Sequence, residues 1–433
     1  MRATRPGLSL LVTSVVLAGT LGLPVVAATP TAKPEEVGLS TERLRRITEL
    51  VERHIAAGSF SGAVTLVARH NRIAHFEAQG LMDIDSKTPM RKDAIFRIMS
   101  MTKPVVGVSI MMLVEQGKVR LQDPVSRFIP ELKDLKVAVP QSDGPGAGGR
   151  AGGPPSAPRF YTIPAEREIT VRDLLTHTSG LVSGPISNAE ARKVAAGPKE
   201  TVGQYVARLG QVPLEFQPGT RWAYSAAAGF DVLVRVVEVA SGMPYDRFAK
   251  QHIFDPLGMN DTTFTPPAGN PRLTTRYERT PEGLRKGTDP GFMNGIYFSG
   301  GGGLYSTPED YLQFALMLLN DGQWNGRRLL SPRGVELMRS VFVPDTLPGR
   351  PRGEPFGLSM RVVTDPAARN SFLTAGSFGW SGAFGTHFWV DPKEKLVAIA
   401  MAQTSNNEFL RDFETLVMQA VTGSGAVVPT GTN

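Results

Sequence analysis

Ser100 and Lys103 form the only Ser-x-x-Lys tetrad in this 433-residue chain. A serine hydroxyl is a poor nucleophile until a neighbouring base takes its proton. Lys103 is such a base if partial burial lowers the pKa of its amine; otherwise its positive charge can lower the pKa of another base. About one such tetrad arises by chance in a chain of this composition. Whether this one is functional therefore has to be judged from the secondary structure around it.

The residues around the tetrad predict a helix that begins at the serine. A β-rich segment leads into Phe96, and Pro104 stands where proline is tolerated, in the first turn of a helix. Apolar residues continue at helical spacing as far as Gly117, which is a good C-terminal stop. Ser100 and Lys103 then share one face at the helix N-terminus, where free N–H groups and the helix dipole favour a developing anion.

Tyr224 is the candidate for a second base. It lies in the segment Pro218–Ala226, which ends where a helical pattern begins, so its side chain can project from a loop into a cleft. Taken alone, a tyrosine two residues after Trp222 is more simply a packed aromatic residue with a satisfied hydroxyl. In combination with Ser100 and Lys103, we interpret Tyr224 as catalytic.

A glycine-rich segment, Phe378–Gly385, is the third candidate, and it leads into a strand pattern at Thr386–Val390. Glycines beside a strand edge let the backbone approach a ligand closely. An oxyanion hole requires two converging backbone N–H donors, and we predict that Ser100 and Ala383 supply them. The alternative is an ordinary glycine-rich entry to a strand.

Three segments carry a family resemblance. In order and spacing, they resemble the three motifs of class C β-lactamase-related serine hydrolases, in the β-lactamase and penicillin-binding-protein-like superfamily: Ser100–Lys103, Tyr224–Ala226 and Trp380–Gly382. The likeness is strongest to the family VIII bacterial carboxylesterases, which share that fold, and it extends from about residue 36 to residue 421. The resemblance implies that Ser100 is acylated and that Lys103 and Tyr224 act together as the general base. It also implies an oxyanion hole made by the backbone N–H groups of Ser100 and Ala383. No metal and no cofactor is expected.

Two positions depart from the motifs of β-lactamases and penicillin-binding proteins. Ala226 replaces the asparagine of the second motif, and Trp380 replaces the lysine of the third. That asparagine and that lysine help to hold the amide and the carboxylate of a β-lactam, so their absence disfavours an antibiotic hydrolase. The tryptophan-containing third motif resembles that of the esterase members.

We also predict which side chains line the substrate cleft. They are Tyr297, Phe298, Trp380, Ser381, Gly382, Phe384 and His387. His177, in a Thr-His-Thr-Ser-Gly segment, is predicted to be a structural loop residue. The chain contains no Gly-x-Ser-x-Gly elbow and no His-Glu-x-x-His motif, which disfavours an α/β-hydrolase and a zinc hydrolase.

β-rich stretches at both ends of the chain flank a mainly helical middle. Strand patterns occupy residues 63–69, 73–78, 371–378, 386–390 and 396–402, and helical patterns include residues 199–209 and 226–240. This distribution predicts an α/β (α+β) fold with an antiparallel sheet flanked by helices. The resemblance implies the β-lactamase/transpeptidase-like version of that fold. We predict a discontinuous sheet domain at residues 34–115 and 287–425. A mainly helical domain is predicted at 116–286, with a flexible Gly/Pro-rich insertion at 140–158.

The first 28 residues are typical of a secretory signal peptide. Arg2 and Arg5 precede an apolar run at residues 8–23, and small residues follow. An uncleaved membrane anchor is the less favoured alternative, because the run is shorter than the ~20 residues that span a bilayer. We therefore expect a periplasmic or secreted bacterial protein with no stable membrane anchor after cleavage.

Composition narrows the chemistry further. The chain has no cysteine, which excludes disulfides and a thiol nucleophile. Its net charge of +7 is spread without a long basic run, so nucleic acid is not an expected partner.

The combined prediction is an exported carboxylesterase that cleaves small esters through an acyl-enzyme on Ser100. Two alternatives stay open: a β-lactamase or D-amino-acid peptidase (D,D-carboxypeptidase) on the same fold, and a non-catalytic sensor of β-lactams or peptidoglycan fragments.

Overall fold

The computed structural model describes residues 28–141 and 159–423. The predicted signal peptide at 1–28 and the insertion at 140–158 lie outside the described residues, apart from their end residues. The strands are β1 Gly62–Arg69, β2 Arg72–Asp83, β3 Thr88–Pro89, β4 Phe96–Arg97, β5 Lys136–Pro140, β6 Phe160–Pro164, β7 Tyr277–Thr280, β8 Gly283–Lys286, β9 Tyr305–Ser306, β10 Gln323–Trp324, β11 Arg327–Arg328, β12 Arg361–Val362, β13 Phe378–Gly382, β14 Thr386–Asp391 and β15 Leu396–Met401.

The helices follow in the same chain order. They are α1 Thr41–Ala56, α2 Thr102–Glu115, α3 Val171–Leu175, α4 Pro185–Lys193, α5 Val202–Arg208, α6 Ala228–Ser241, α7 Tyr245–Ala249, α8 Asp255–Leu257, α9 Pro308–Leu319, α10 Pro332–Met338, α11 Pro366–Arg369 and α12 Asn407–Met418. A short 3-10 helix, Met99–Met101, directly precedes α2. None of the helices in the described ranges is both long and apolar enough to cross a bilayer.

One seven-stranded antiparallel sheet joins the two ends of the chain. Its strand order is β12-β13-β14-β15-β1-β2-β3, so β1 pairs with β2 on one side and with β15 on the other. Strands from residues 62–89 and from residues 361–401 therefore form a single sheet, and the predicted fold class is confirmed. The exact domain boundaries after residues 115 and 286 stay a prediction.

The alternation of side chains along the strands divides the core into two layers. On β14, Phe388 packs into the layer that contains α2 and α9, whereas the next residue, Trp389, packs against α1 and α12. This period of two is what a β-strand imposes when both of its faces are covered. Ser40 caps α1, because its side-chain oxygen accepts from the backbone N–H of Arg43.

α2 lies in the middle of the molecule. It is buried on nearly all sides, with Lys103, Val106 and Ile110 among its fully covered residues. α6 packs against α2, α3 and α5, so the helical middle of the chain closes over the face of the sheet that carries α2. The residues at the start of α2 therefore sit where the helical part meets the sheet.

The predicted strand at residues 371–378 is wrong. That segment runs as turns, and the strand begins only at Phe378, so the third motif itself forms β13. The hydroxyls of Thr374 and Ser377 donate to the buried carboxylate of Asp391 at 2.7 and 3.0 Å. Side chains that bond locally in this way compete with ladder pairing, which explains why the β-rich composition did not give a strand there.

Candidate active site

The turn that carries Ser100 is held on two sides. Before it, the Ile98 N–H donates to the Leu304 carbonyl at 3.1 Å, and the Ile98 carbonyl accepts from the Thr386 hydroxyl at 3.0 Å. Met99 then adopts φ +49°, which is uncommon for a residue other than glycine and marks a turn fixed by its surroundings. Ser100 is therefore presented by a short, fixed 3-10 turn that leads directly into α2.

Ser100, Lys103 and Tyr224 meet at one oxygen atom. The Lys103 Nζ lies 3.0 Å from the Ser100 Oγ, and the Tyr224 hydroxyl lies 2.8 Å from the same Oγ. Both distances are within hydrogen-bond range, which is the geometry that a nucleophile and its bases require. Tyr224 stands 124 positions from Ser100 in sequence, and only the packing of α6 against α2 brings its loop here.

Lys103 is a fully buried cation that is held by oxygen atoms of neutral groups. Its side chain is 0% exposed, and Nζ donates to the carbonyls of Ala226 at 2.6 Å and Gly301 at 2.7 Å. With the Ser100 Oγ, these carbonyls satisfy the three donors of an ammonium group. Each of these three partners is a neutral oxygen, so none of them cancels the charge of Lys103.

The charge of Lys103 acts on Tyr224. Burial alone raises the pKa of the Tyr224 hydroxyl, but the Lys103 charge and hydrogen bonding with Lys103 and Ser100 hold that pKa below its ordinary value. The Lys103 ammonium also lies over the Tyr224 ring, 4.9 Å from its centroid. A tyrosine whose anion is stabilised in this way can accept a proton from a neighbouring hydroxyl.

Asp231 is a positioning residue that the sequence reading missed. Its carboxylate is 1% exposed and accepts from the Tyr297 hydroxyl and the Ser299 hydroxyl, both at 2.7 Å, and from the Gly301 N–H at 3.3 Å. It thereby fixes the loop whose Gly301 carbonyl accepts from Lys103. Burial raises the pKa of Asp231, while these hydrogen bonds oppose the rise. The sequence feature that could have indicated this role is a single aspartate within the mostly apolar helix α6.

The glycine run at residues 300–303 lets that loop lie directly on α6. A Cβ on Gly301 would stand 2.4 Å from the Ala227 Cα, and one on Gly300 would stand 2.4 Å from the Phe230 carbonyl oxygen. No side chain fits at either position without moving the backbone. The Gly301 carbonyl can reach Lys103 only because of this close approach.

The third motif lies against the turn that presents Ser100. A Cβ on Gly382 would stand 2.3 Å from the Ile98 carbonyl oxygen, so β13 packs there with no room for a side chain. The exposed residue Ala383 follows directly. This contact brings the peptide groups after Gly382 beside the Ser100 turn, and the oxyanion hole at Ser100 and Ala383 stays a prediction.

Trp380 forms an aromatic wall next to Tyr224. Its ring lies 5.6 Å from that of Tyr224 and 5.2 Å from that of Phe356. The third motif therefore presents an apolar ring where related hydrolases have a lysine, and Ala226 is exposed at the position of the missing asparagine.

Several predicted cleft residues are not brought to Ser100. Tyr297 is buried and its hydroxyl is bound by Asp231, while Phe298 packs on Phe264 at 5.3 Å. Phe384 is half-buried beneath the guanidinium of Arg276, at 4.4 Å. Each of these three aromatic side chains therefore contacts a residue other than Ser100, Lys103 and Tyr224.

His387 lies on the opposite face of the sheet from Trp380. Its Nδ1 is 2.9 Å from the Ser381 Oγ, and its Nε2 is 3.0 Å from a carboxylate oxygen of Glu414 on α12. Glu414 also forms ion pairs with Arg361 and Arg369. Because adjacent residues of a strand point to opposite faces, Trp380 faces Tyr224 while Ser381 and His387 face α12.

The comparison with protein families identifies the family of this chain. The profile of the family described as Beta-lactamase matches residues 47–422, which is most of the chain. The chain belongs to the Beta-lactamase family. The predicted superfamily is therefore confirmed.

Relatives with described activities include esterases and a peptidase. The chain is 39% identical over 372 residues to an uncharacterized protein of Mycobacterium tuberculosis, covering 80% of this chain and 86% of that one. It is 29% identical over 401 residues to Esterase EstB of Burkholderia gladioli, covering 83% and 90%. It is 31% identical over 316 residues to the D-alanyl-D-alanine-carboxypeptidase/endopeptidase AmpH of Escherichia coli K12, covering 72% and 69%.

Among solved structures, EstCE1, a hydrolase with promiscuous acyltransferase activity, superposes with a TM-score of 0.73 at 25% identity, covering 88% of this chain and 99% of that one. This Beta-lactamase family chain thus has the β-lactamase-type serine hydrolase fold and esterase relatives.

Proposed function

We propose that this protein is a carboxylesterase that cleaves small esters through an acyl-enzyme on Ser100. The observation that supports it most strongly is the convergence of Lys103 Nζ and the Tyr224 hydroxyl on the Ser100 Oγ, at 3.0 and 2.8 Å. A serine that has a base, Tyr224, and a cation that stabilises the ionised form of that base, both at hydrogen-bond distance, is equipped for nucleophilic attack.

The proposed reaction has two halves. Tyr224, as the phenolate stabilised by Lys103, takes the proton of Ser100 while Oγ attacks the ester carbonyl carbon. The tetrahedral oxyanion is held by the N–H groups of Ser100 and Ala383; it then collapses, and the alcohol leaves with the proton held by Tyr224. In the second half, a water molecule gives a proton to Tyr224, attacks the acyl carbon and releases the carboxylic acid, and Ser100 recovers its proton.

The residues around Ser100 support small, neutral esters as the substrate class. Trp380 contributes an apolar ring in place of a lysine, and Ala226 contributes no amide in place of an asparagine. A neutral ester binds next to this apolar ring more favourably than a β-lactam or a peptide with a terminal carboxylate, because a carboxylate binds best to charged hydrogen-bond donors. Trp380 and Ala226 therefore favour a neutral ester over a β-lactam as the substrate.

Ser100→Ala tests the proposal. The wild-type protein is expected to hydrolyse p-nitrophenyl acetate or butyrate, and the variant is expected to lose turnover while its melting temperature stays close to wild type. Intact-mass measurement after treatment with an organophosphonate is expected to show one adduct on Ser100. Full ester turnover in Ser100→Ala would overturn the assignment of the nucleophile.

A D-amino-acid peptidase or β-lactamase is the second candidate, and the similarity to AmpH supports it. Nitrocefin and a D-alanyl-D-alanine peptide, compared with p-nitrophenyl butyrate in kcat/KM, separate the two candidates. A higher value for either of the first two substrates selects the second candidate. A stable adduct on Ser100 without turnover of any of these substrates selects the non-catalytic sensor.

We also propose that the protein is exported to the periplasm or secreted. The basic and apolar pattern of residues 1–28 supports this. N-terminal sequencing of the protein recovered outside the cytoplasm is expected to begin near residue 29. Retention of the complete N-terminus in a cytoplasmic fraction contradicts the proposal.

A further inference from the structure

His177 holds the backbone on both sides of Tyr224. Its carbonyl oxygen accepts from the Ala223 N–H at 3.1 Å, and its Nδ1 accepts from the Ser225 N–H at 3.3 Å. One residue thus binds the backbone N–H groups of Ala223 and Ser225, the two neighbours of the tyrosine whose side chain contacts Ser100. A residue that is bonded on both sides has little freedom to rotate or translate, so these two bonds bear directly on where the Tyr224 hydroxyl lies.

The imidazole ring of His177 also packs on Tyr224. The two ring centroids are 4.7 Å apart, and the far sides of the imidazole are covered by Phe230 at 5.3 Å and Phe356 at 5.4 Å. His177 is 1% exposed, so solvent does not compete for Nδ1. The histidine therefore fixes both the backbone and the ring of the tyrosine.

His177 itself is held in an uncommon backbone conformation. Its φ is +58°, in the left-handed region, which histidine adopts more readily than most side chains but which still costs free energy. It follows α3, and the next residue, Thr178, accepts from the Gly219 N–H at 2.8 Å. The segment at 177–178 is thereby bound to three points of the loop that carries Tyr224, at Gly219, Ala223 and Ser225.

The acceptor role of Nδ1 requires the neutral ring. An imidazole nitrogen that accepts from an N–H carries a lone pair, so the ring proton is assigned to Nε2. Burial lowers the pKa of His177 well below its ordinary value, and the positive charges of Lys103 and Arg350 lower it further. Tyr224, Lys103 and Arg350 are the titratable groups that face this ring; burial and the charges of the two cations all favour its neutral form.

We propose that His177 is a positioning residue that keeps the Tyr224 hydroxyl on Ser100 by binding the peptide groups on both sides of the tyrosine. The proposal rests on the proposed acyl-enzyme function. It assigns a role in catalysis to a histidine that touches neither Ser100 nor the substrate. It predicts that losing the Nδ1 acceptor impairs the acylation step and the ionisation of Tyr224 more than it impairs substrate binding.

The matched pair His177→Phe and His177→Asn tests this role. Phenylalanine keeps an aromatic ring but has no acceptor, whereas the asparagine Oδ1 can take the place of Nδ1, and asparagine tolerates positive φ. For p-nitrophenyl butyrate, His177→Phe is expected to lower kcat about 100-fold, the scale of a misplaced catalytic group, with a much smaller change in KM. His177→Asn is expected to recover most of kcat.

The dependence of kcat/KM on pH separates the two possible roles of His177, because a simple loss of packing is not expected to change it. In His177→Phe, the rising limb of kcat/KM is expected to shift to higher pH, because Tyr224 is no longer held beside Lys103. In His177→Asn, the limb is expected to stay at the wild-type position. His75→Phe is the control: it removes another buried imidazole, one that contacts the Thr65 hydroxyl at 2.8 Å far from the site, and should leave the limb unchanged.

The proposal is overturned if His177→Phe and His177→Asn lose kcat equally and the rising limb of the kcat/KM pH profile does not shift. That result would show that His177 contributes only packing. If His177→Phe is not recovered folded, His177→Leu, which matches asparagine in size, takes its place. The rate of Ser100 adduct formation with an organophosphonate is measured for each variant as well. That rate reports on the activation of Ser100 even if the wild-type protein turns over no ester, so failure of the proposed function is distinguishable from failure of this inference.

Discussion

Ser100 and Ser381 each contact a base, yet the two surroundings differ. The Ser100 Oγ lies within 3.0 Å of both Lys103 and Tyr224. The Ser381 Oγ lies 2.9 Å from His387, which in turn contacts Glu414 at 3.0 Å. As a series of contacts, serine to histidine to carboxylate is the arrangement of many hydrolases. In this molecule it lies on the far side of β13 from the cleft.

The difference between the two sites is where charge is left uncompensated. Glu414 is ion-paired with Arg361 and Arg369, and burial holds the pKa of His387 below its ordinary value. Glu354 also pairs with both arginines, so two carboxylates balance two guanidinium groups in the network around Ser381. Lys103 has only neutral oxygen partners among the described residues, so its charge is available to stabilise the anion of Tyr224. A base next to a serine is therefore not sufficient to activate the serine hydroxyl. The charges around the two groups must also favour loss of the hydroxyl proton.

The two serines give the largest expected contrast. Ser100→Ala is expected to lower kcat/KM for p-nitrophenyl butyrate by about 10⁴ or more, as loss of a nucleophile does. Ser381→Ala is expected to stay within about tenfold of wild type, since its hydroxyl serves a contact behind the sheet. Steady-state kinetics of both variants checks this, and a loss in Ser381→Ala as large as that in Ser100→Ala would break the comparison.

Tyr224→Phe sharpens the role of the base at Ser100. The ring and its packing are kept, and only the hydroxyl at 2.8 Å from Ser100 is removed. The expected loss of kcat is about 10²- to 10⁴-fold, the range of general base catalysis, with a melting temperature close to wild type. Wild-type kcat/KM is also expected to rise with pH at values below the ordinary tyrosine pKa of about 10, since Lys103 lowers the pKa of Tyr224.

A wild-type rate in Tyr224→Phe shows that Lys103 alone is the base. A rising limb at the ordinary tyrosine pKa contradicts the influence of Lys103 on the Tyr224 hydroxyl.

Glu414→Gln tests the other site through stability rather than activity. The substitution leaves Arg361 and Arg369 without the charge of a buried partner, so a loss of about 3 kcal/mol in the free energy of unfolding is expected. The expected change in kcat is much smaller than that in Tyr224→Phe. Denaturant unfolding at pH 7 measures the loss, and a stability within 0.5 kcal/mol (about the scale of a surface change) contradicts it.

The smallest expected effect is the pH dependence of that stability difference. Although burial alone raises the pKa of Glu414, Arg361, His387 and Arg369 hold it well below its ordinary value. A lowered pKa in the folded state stabilises the protein above the unfolded value of about 4.3, and this contribution fades as the pH falls further. The difference in melting temperature between wild type and Glu414→Gln should therefore begin to shrink as the pH falls below about 4 and should keep shrinking towards the much lower pKa of the folded state. A gap that persists at low pH contradicts the charge-based account.

Much of the site followed from residue types and spacing. The tetrad at Ser100 and Lys103 lies at a helix start that Pro104 and Gly117 mark, and the second and third motifs are local strings with fixed residue types. The fold class followed from the placement of β-rich and helical stretches. These features are local in the chain, so periodicity and motif composition were enough to find them.

Residue types and motifs indicate which groups could react: a serine, a lysine and a tyrosine, in a chain without cysteine or a recognisable metal-binding motif. The groups that activate them are brought together by tertiary contacts. The carbonyls of Ala226 and Gly301 that hold Lys103, the Asp231 carboxylate behind them, and the two bonds from His177 are contacts between distant segments. Every residue has a carbonyl and an N–H, so residue type carries no information about which of them converge; the packing of α6 and the sheet on α2 decides it.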